Sequence, residues 1–151
     1  MHNAHLNGYQ QRVRAVVLEG KTTLLYGLDR ATMEGCARET ARGKPITDFA
    51  SLVGMNPHNL TSRLSCLERD TRGRIVITDV FGERGRFTRN DVRRTYEAMR
   101  AHNFEDGSLR PRIRFLLFAY TPESDLLQTQ STPYHPLNPK RKWCQWVNLQ
   151  T

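Results

Sequence analysis

Long apolar runs are missing from this chain. The longest is the short "FLLFAY" at 115–120, far below the ~18 consecutive apolar residues of a membrane-spanning helix, so no membrane partner is expected. Cysteine is scarce: Cys36, Cys66 and Cys144 are odd in number and share no C-x-x-C spacing. That argues against a disulfide framework or a zinc site, and for reduced thiols in a cytoplasmic protein. The five histidines are scattered too, so neither a metal site nor a cofactor is expected. The opening "MHNAHLNGYQQRVR" lacks the charged-then-apolar layout of a secretory signal. Lysine is rare, with four against nineteen arginines, yet the net charge is +8 over 151 residues. Such a surplus favours a polyanionic partner through phosphate neutralisation, and nucleic acid comes before an acidic protein or a membrane surface.

One stretch invites an ATPase reading. In "AVVLEGKTTLLYG", residues 15–27, Gly20, Lys21 and Thr22 fit the last three places of a phosphate-binding loop. Val16, Val17 and Leu18 fill what should be a tight, small-residue turn, and β-branched residues resist the positive φ of a phosphate nest. The polar "NGYQQRVR" upstream is no buried strand. The bland alternative, a helix end and linker with a chance GKT, is preferred. With no metal cluster, acid/base pair or nucleophile to place, the chain is expected not to be an enzyme, and no catalytic residue is assigned.

Residues 9–19 and 24–42 each read as helical, the second with Leu25, Leu28, Thr32 and Cys36 near one face and an end at Gly43 and Pro45. Asp29 is an alternative start for a separate helix. The clearest pattern follows. Thr47 or Asp48 can cap a short helix that buries Phe49, Ala50, Leu52 and Val53. Gly54 would allow a left-handed turn, Asn56 is a good N-cap, and Pro57 suits the first helical position. Leu60, Leu64 and Leu67 then form one apolar stripe.

This segment, "FASLVGMNPHNLTSRLSCLER", resembles the helix-turn-helix of winged helix-turn-helix DNA-binding proteins, at the level of pattern over roughly residues 24–101. The resemblance implies a recognition helix at 57–69 followed by a β-hairpin wing at 74–88. "RIVITDVF" would supply the first strand, "GERG" the tip and "RFTR" the return. Thr88 and Asp91 then form a capping-box-like start to a helix with Val92, Tyr96 and Met99 on one face. The order "LLYGL", helix-turn-helix, strand and terminal "PKRK" is also faintly similar to CaiF/GrlA-type bacterial transcriptional activators. The expected fold is therefore α+β: a mostly helical winged domain at 24–120, an N-terminal helical segment at 1–23, and an extended, proline-containing, basic and aromatic arm at 121–151.

The expected recognition helix presents His58, Asn59, Thr61, Ser62, Arg63 and Ser65 away from its leucines. Asn can bond adenine, Arg can fork onto guanine, and hydroxyls can take phosphates or base edges. Arg84 and Arg86 at the wing tip, and Arg72 and Arg74 at its base, complete the candidate DNA-binding set. Arg89, Arg93, Arg94 and Arg100 serve either a basic face or helix salt bridges with Glu97. "RPRIRFLLFAYTPE" fits a strand or short helix that completes the core or a dimer interface. In the arm, Trp143 and Trp146 are expected to anchor the tail on its own domain, with Lys140, Arg141 and Lys142 as auxiliary phosphate contacts. Together these features point to a sequence-specific transcriptional regulator of duplex DNA, as a homodimer. The alternative is a protein-interaction adaptor in which the winged domain and the tryptophan tail bind a regulatory protein partner.

Overall fold

The computed structural model describes residues 4–19, 21–82, 87–103, 114–121, 136–137 and 143–150. Among the described residues, five helices and five strands follow one another: α1 (Ala4–Glu19), β1 (Thr23–Tyr26), α2 (Arg30–Ala41), β2 (Ile46–Asp48), α3 (Phe49–Val53), α4 (Pro57–Thr71), β3 (Arg74–Thr78), α5 (Arg89–Asn103), β4 (Arg114–Phe118) and β5 (Gln145–Asn148). The strands form one sheet in the order β2-β3-β4-β1-β5, and every pair is parallel. The expected mixture of helix and strand is present, but its arrangement differs from a winged domain.

Strand alternation sorts the core into two layers. Leu24 and Tyr26 of β1, Ile75 and Ile77 of β3, and Phe115 and Leu117 of β4 face α3, α4 and α5. Leu25, Val76, Leu116 and Phe118 face α1 and α2 on the other side. Helices on both faces are what a parallel sheet requires, because both of its surfaces are apolar.

The expected helix over 24–42 is corrected here. Its first three residues, Leu24 to Tyr26, belong to strand β1, buried on both faces, and the helix begins only after Asp29. Asp29 takes the cap: its carboxylate accepts from the Thr32 amide at 3.1 Å and the Thr32 hydroxyl at 2.7 Å. These two bonds, the hydroxyl first, hold its pKa below the ordinary carboxylate value. Arg42 ends the helix in the left-handed region, φ 49°, followed by Gly43 at φ 80°.

The wing is corrected as well. β3 is an interior strand paired in parallel with β2 and β4, and Ile75, Val76 and Ile77 are all buried. Phe87 and Thr88 lead straight into α5, so "RFTR" supplies no return strand among the described residues. What reads as helix, turn, helix and wing is a β2–α3–α4–β3 crossover, in which two helices rather than one carry the chain between parallel neighbours. The two caps of that pair are where the sequence puts them. Asp48 accepts from the Ala50 amide at 3.4 Å, and Asn56 accepts from the Asn59 amide at 2.9 Å with Pro57 opening α4. Gly54 lies at φ −74°, so the joint needs no left-handed residue.

The tail closes the sheet. β5 adds to β1, Trp143 is buried with its indole N–H donating to the Pro136 carbonyl, and that of Trp146 donates to Leu137. Anchoring of both tryptophans on the chain's own core agrees with the sequence expectation. "FLLFAY" is likewise consumed in the core, as β4 and the two residues after it. Lys140, Arg141 and Lys142 lie outside the described residues.

Candidate nucleic-acid interface

α4 is amphipathic with a narrow buried side. Leu60, Leu64, Leu67 and Thr71 point at the sheet, and the Thr71 hydroxyl donates to the Leu67 carbonyl at 2.6 Å, so the polar residue in this stripe is satisfied. At about 100° per residue, His58, Ser62, Ser65 and Arg69 point most directly outward, with Asn59 and Arg63 on one flank and Thr61 on the other. All seven are exposed. The Thr61 hydroxyl donates to the Pro57 carbonyl at 3.1 Å and keeps an acceptor for an outside group. Arg63 makes no ion pair with any described residue, whereas Arg69 lies 3.7 Å from Asp70. Arg69 joins this stripe although it is not among the residues the sequence pattern singles out. Its place eleven residues after His58, three helical turns along one stripe, was the available signal.

α5 packs beside α4 on the same layer, and a partly buried contact links them: His102 Nε2 lies 3.2 Å from Glu68 Oε1. Thr88 caps α5 by accepting from the Asp91 amide at 3.1 Å. A separate side-chain hydrogen bond between Thr88 and the Asp91 carboxylate, followed by nearby Arg94, holds the Asp91 pKa low. Val92 is half-buried and Tyr96 and Met99 are fully buried, which leaves Arg89, Arg93 and Arg94 exposed on the outside. Arg94 binds Asp91 at 2.7 Å and Arg100 lies 3.8 Å from Glu97, so part of this face is salt-bridged and part adds to the positive surface.

The structure divides the predicted site. His58, Asn59, Thr61, Ser62, Arg63 and Ser65 share the exposed side of α4. Arg72 caps its far end at φ 56°, about 20 Å from His58 at 1.5 Å rise per residue. Arg74 belongs elsewhere, since it lines a groove on the opposite face of the sheet between α1 and α2. Arg84 and Arg86 lie outside the described residues.

A second feature was not legible in the sequence. In sheets wound on both faces, ligands gather at the carboxyl ends of the strands. There the structure has an open crevice of about 310 Å³, lined by Arg30, Glu34, Asp48, Thr78, Asp79 and Tyr120 among others. Arg30 binds Glu34 at 2.9 Å and lies over the Tyr120 ring at 5.0 Å. Asp79 follows β3 at φ 57°, and its carboxylate covers Gly82. Burial raises the Asp79 pKa, with Arg30 opposing. Burial also raises that of Tyr120.

Phosphate binding at this edge lacks its usual parts. The turn from β1 to α2 is Gly27-Leu28-Asp29, and the Asp29 carboxylate already takes the Thr32 amide and places a negative charge where an anion would sit. Gly27 serves the fold: φ is +108°, and a Cβ would come 2.3 Å from the Asn148 side-chain oxygen of β5. Lys21 and Thr22 precede β1 and so sit at the opposite edge. Lys21 is exposed, and the buried Thr22 hydroxyl accepts from the Phe115 amide at 3.2 Å. Among the described residues no group of His, Cys, Asp and Glu is arranged to hold a metal, and no helix is long and apolar enough to cross a membrane. Burial raises the pKa of the Cys36 and Cys144 thiols, so both favour the unreactive protonated form.

No family model and no curated protein matches the chain. Among solved structures, it is similar to a chain of Drosophila ORC bound to DNA, with TM-score 0.53 and 15% identity over 99% of this chain and 93% of that one. Two others are Drosophila ORC bound to AT-rich DNA and Cdc6 (TM-score 0.49, 14% identity, 98% of this chain and 57% of that one) and Drosophila ORC bound to GC-rich DNA and Cdc6 (0.47, 16%, 98% and 58%). At this identity the first likeness concerns the fold alone. The resemblance to CaiF/GrlA-type activators gains no support from these comparisons.

Proposed function

We propose that the protein is a non-catalytic DNA-associating protein that meets duplex DNA with the outer faces of α4 and α5. The observation that carries this is the make-up of the α4 surface: uncharged hydrogen-bonding side chains from His58 to Ser65, with Arg63 unpaired among the described residues, beside the exposed arginines of α5. A merely solvated helix face is more commonly rich in Glu and Lys. The net charge of +8 supports a phosphate partner, and the fold likeness to a chain of a DNA-bound complex is consistent with one.

The finer proposal is sequence-specific regulation of transcription, with Asn59 and Arg63 reading base edges. Binding to random duplex DNA, with selection and sequencing across salt concentrations, tests both levels. An enriched motif, with Asn59→Ala and Arg63→Ala each costing about 1–3 kcal/mol at particular base positions, is expected. Salt-sensitive binding without a motif would reduce the proposal to phosphate contact, and no binding would remove it. The adaptor alternative loses its main support because both tryptophans are engaged in the chain's own core.

A further inference from the structure

The face of the sheet turned away from α4 and α5 carries a different surface. The large hydrophobics left exposed among the described residues are Ile46 and Leu18, and Leu18 is 84% exposed. Leu18 stands at the edge of the groove between α1 and α2, whose volume is about 220 Å³. Buried Val13, Val17 and Cys36 form its floor. Exposed Arg14 and Arg42 stand at its rim and make no ion pair with any described residue; Glu39 is the one carboxylate among the described lining residues.

Size and charge narrow the occupant. The volume falls below the roughly 300–1,000 Å³ of sites that enclose a small ligand, but it suits one or two side chains of a larger body. Duplex DNA offers phosphates to the arginines and nothing to Leu18 or the apolar floor. A second copy meeting this surface face to face would bring two net-positive rims together. We propose that the α1–α2 groove docks an amphipathic helix of a protein partner, with its apolar side chains in the groove and its acidic side chains on Arg14 and Arg42. This site is independent of the α4–α5 surface, so one molecule can hold DNA on one side and a protein on the other.

Fluorescence anisotropy on the full chain tests it with labelled model helices of about 16 residues that share one leucine stripe, flanked by glutamate, glutamine or lysine. The glutamate version should bind saturably, about 10-fold more tightly than the glutamine version, and the lysine version weakest. Leu18→Ser and the pair Arg14→Ser with Arg42→Ser should each weaken it about 10-fold. All three positions are exposed, so the thermal midpoint should stay unchanged, while Arg63→Ala should leave the affinity intact. Any of four results would overturn the proposal: no binding up to about 1 mM, equal binding of all three helices, indifference to the groove substitutions, or displacement of the helix by duplex DNA.

Discussion

The two faces of the sheet are built to different standards. The α3–α4–α5 side holds the larger cluster and is aromatic, with Phe49 stacked on Tyr96 at 4.3 Å and Phe81 between Tyr96 and Trp146 at 5.9 and 5.8 Å. The α1–α2 side is mostly aliphatic, built from Val13, Val16, Val17, Met33 and Leu149, and it leaves an open groove beside exposed Leu18. Large, well-defined rings on one side keep the polar faces of α4 and α5 in fixed positions. Small side chains on the other leave room for something else to pack. The contrast teaches that a parallel sheet needs cover on both faces but not cover of equal quality.

The contrast is broken most severely by truncating the aromatic stack. Phe49→Ala should cost about 3–5 kcal/mol in urea unfolding, and Met33→Ala on the other face about 2–3 kcal/mol. Both residues are fully buried, so equal losses would mean that the stack adds nothing beyond area. Next comes the joint where β5 closes onto β1. Gly27→Ala should cost roughly 1–3 kcal/mol because an alanine there is strained at φ +108° and meets Asn148. Asn148→Ala in the same chain should recover the clash but not the backbone strain, and additive losses would reject the contact.

The smallest effect is expected at Asp79. Burial, opposed by Arg30, raises its pKa above the ordinary 3.8, so the folded protein keeps this proton where the unfolded chain has lost it. Stability should therefore decline as pH rises from about the ordinary value through the raised one. Asp79→Asn should flatten that part of the profile, since asparagine accepts φ 57° readily and carries no charge. An unchanged profile would show that the carboxylate is as well solvated in the folded chain as in the unfolded one.

Local signals were readable in the sequence and distant ones were not. The caps Asp48, Asn56 and Thr88 and the stripe of Leu60, Leu64 and Leu67 depend on neighbours within one or two turns, and each is where the residue pattern put it. β1 reads as helix from Leu24 because "LLY" is a three-residue apolar run, which carries no period of its own. β3 was read as half of a hairpin because its β-branched residues suit either a solvated or an interior strand. Only the partners separate the two, and those are β2, on the far side of two helices, and β4, beyond α5. The candidate surface followed the same rule. The exposed side of α4 was legible from its helical period, but the place of Arg74 on the opposite face depended on the parallel topology. The strand-end crevice joins Arg30, Asp48, Asp79 and Tyr120 from four separate elements and junctions, so no local pattern announced it.

The most direct measurement is backbone NMR of the full chain during titration with a short DNA duplex at moderate salt. The account predicts shifts concentrated at His58–Ser65 of α4 and Arg89–Arg94 of α5, weakening as salt rises, with α1 and α2 undisturbed. Shifts confined to α1 and α2, or none at all, would contradict it.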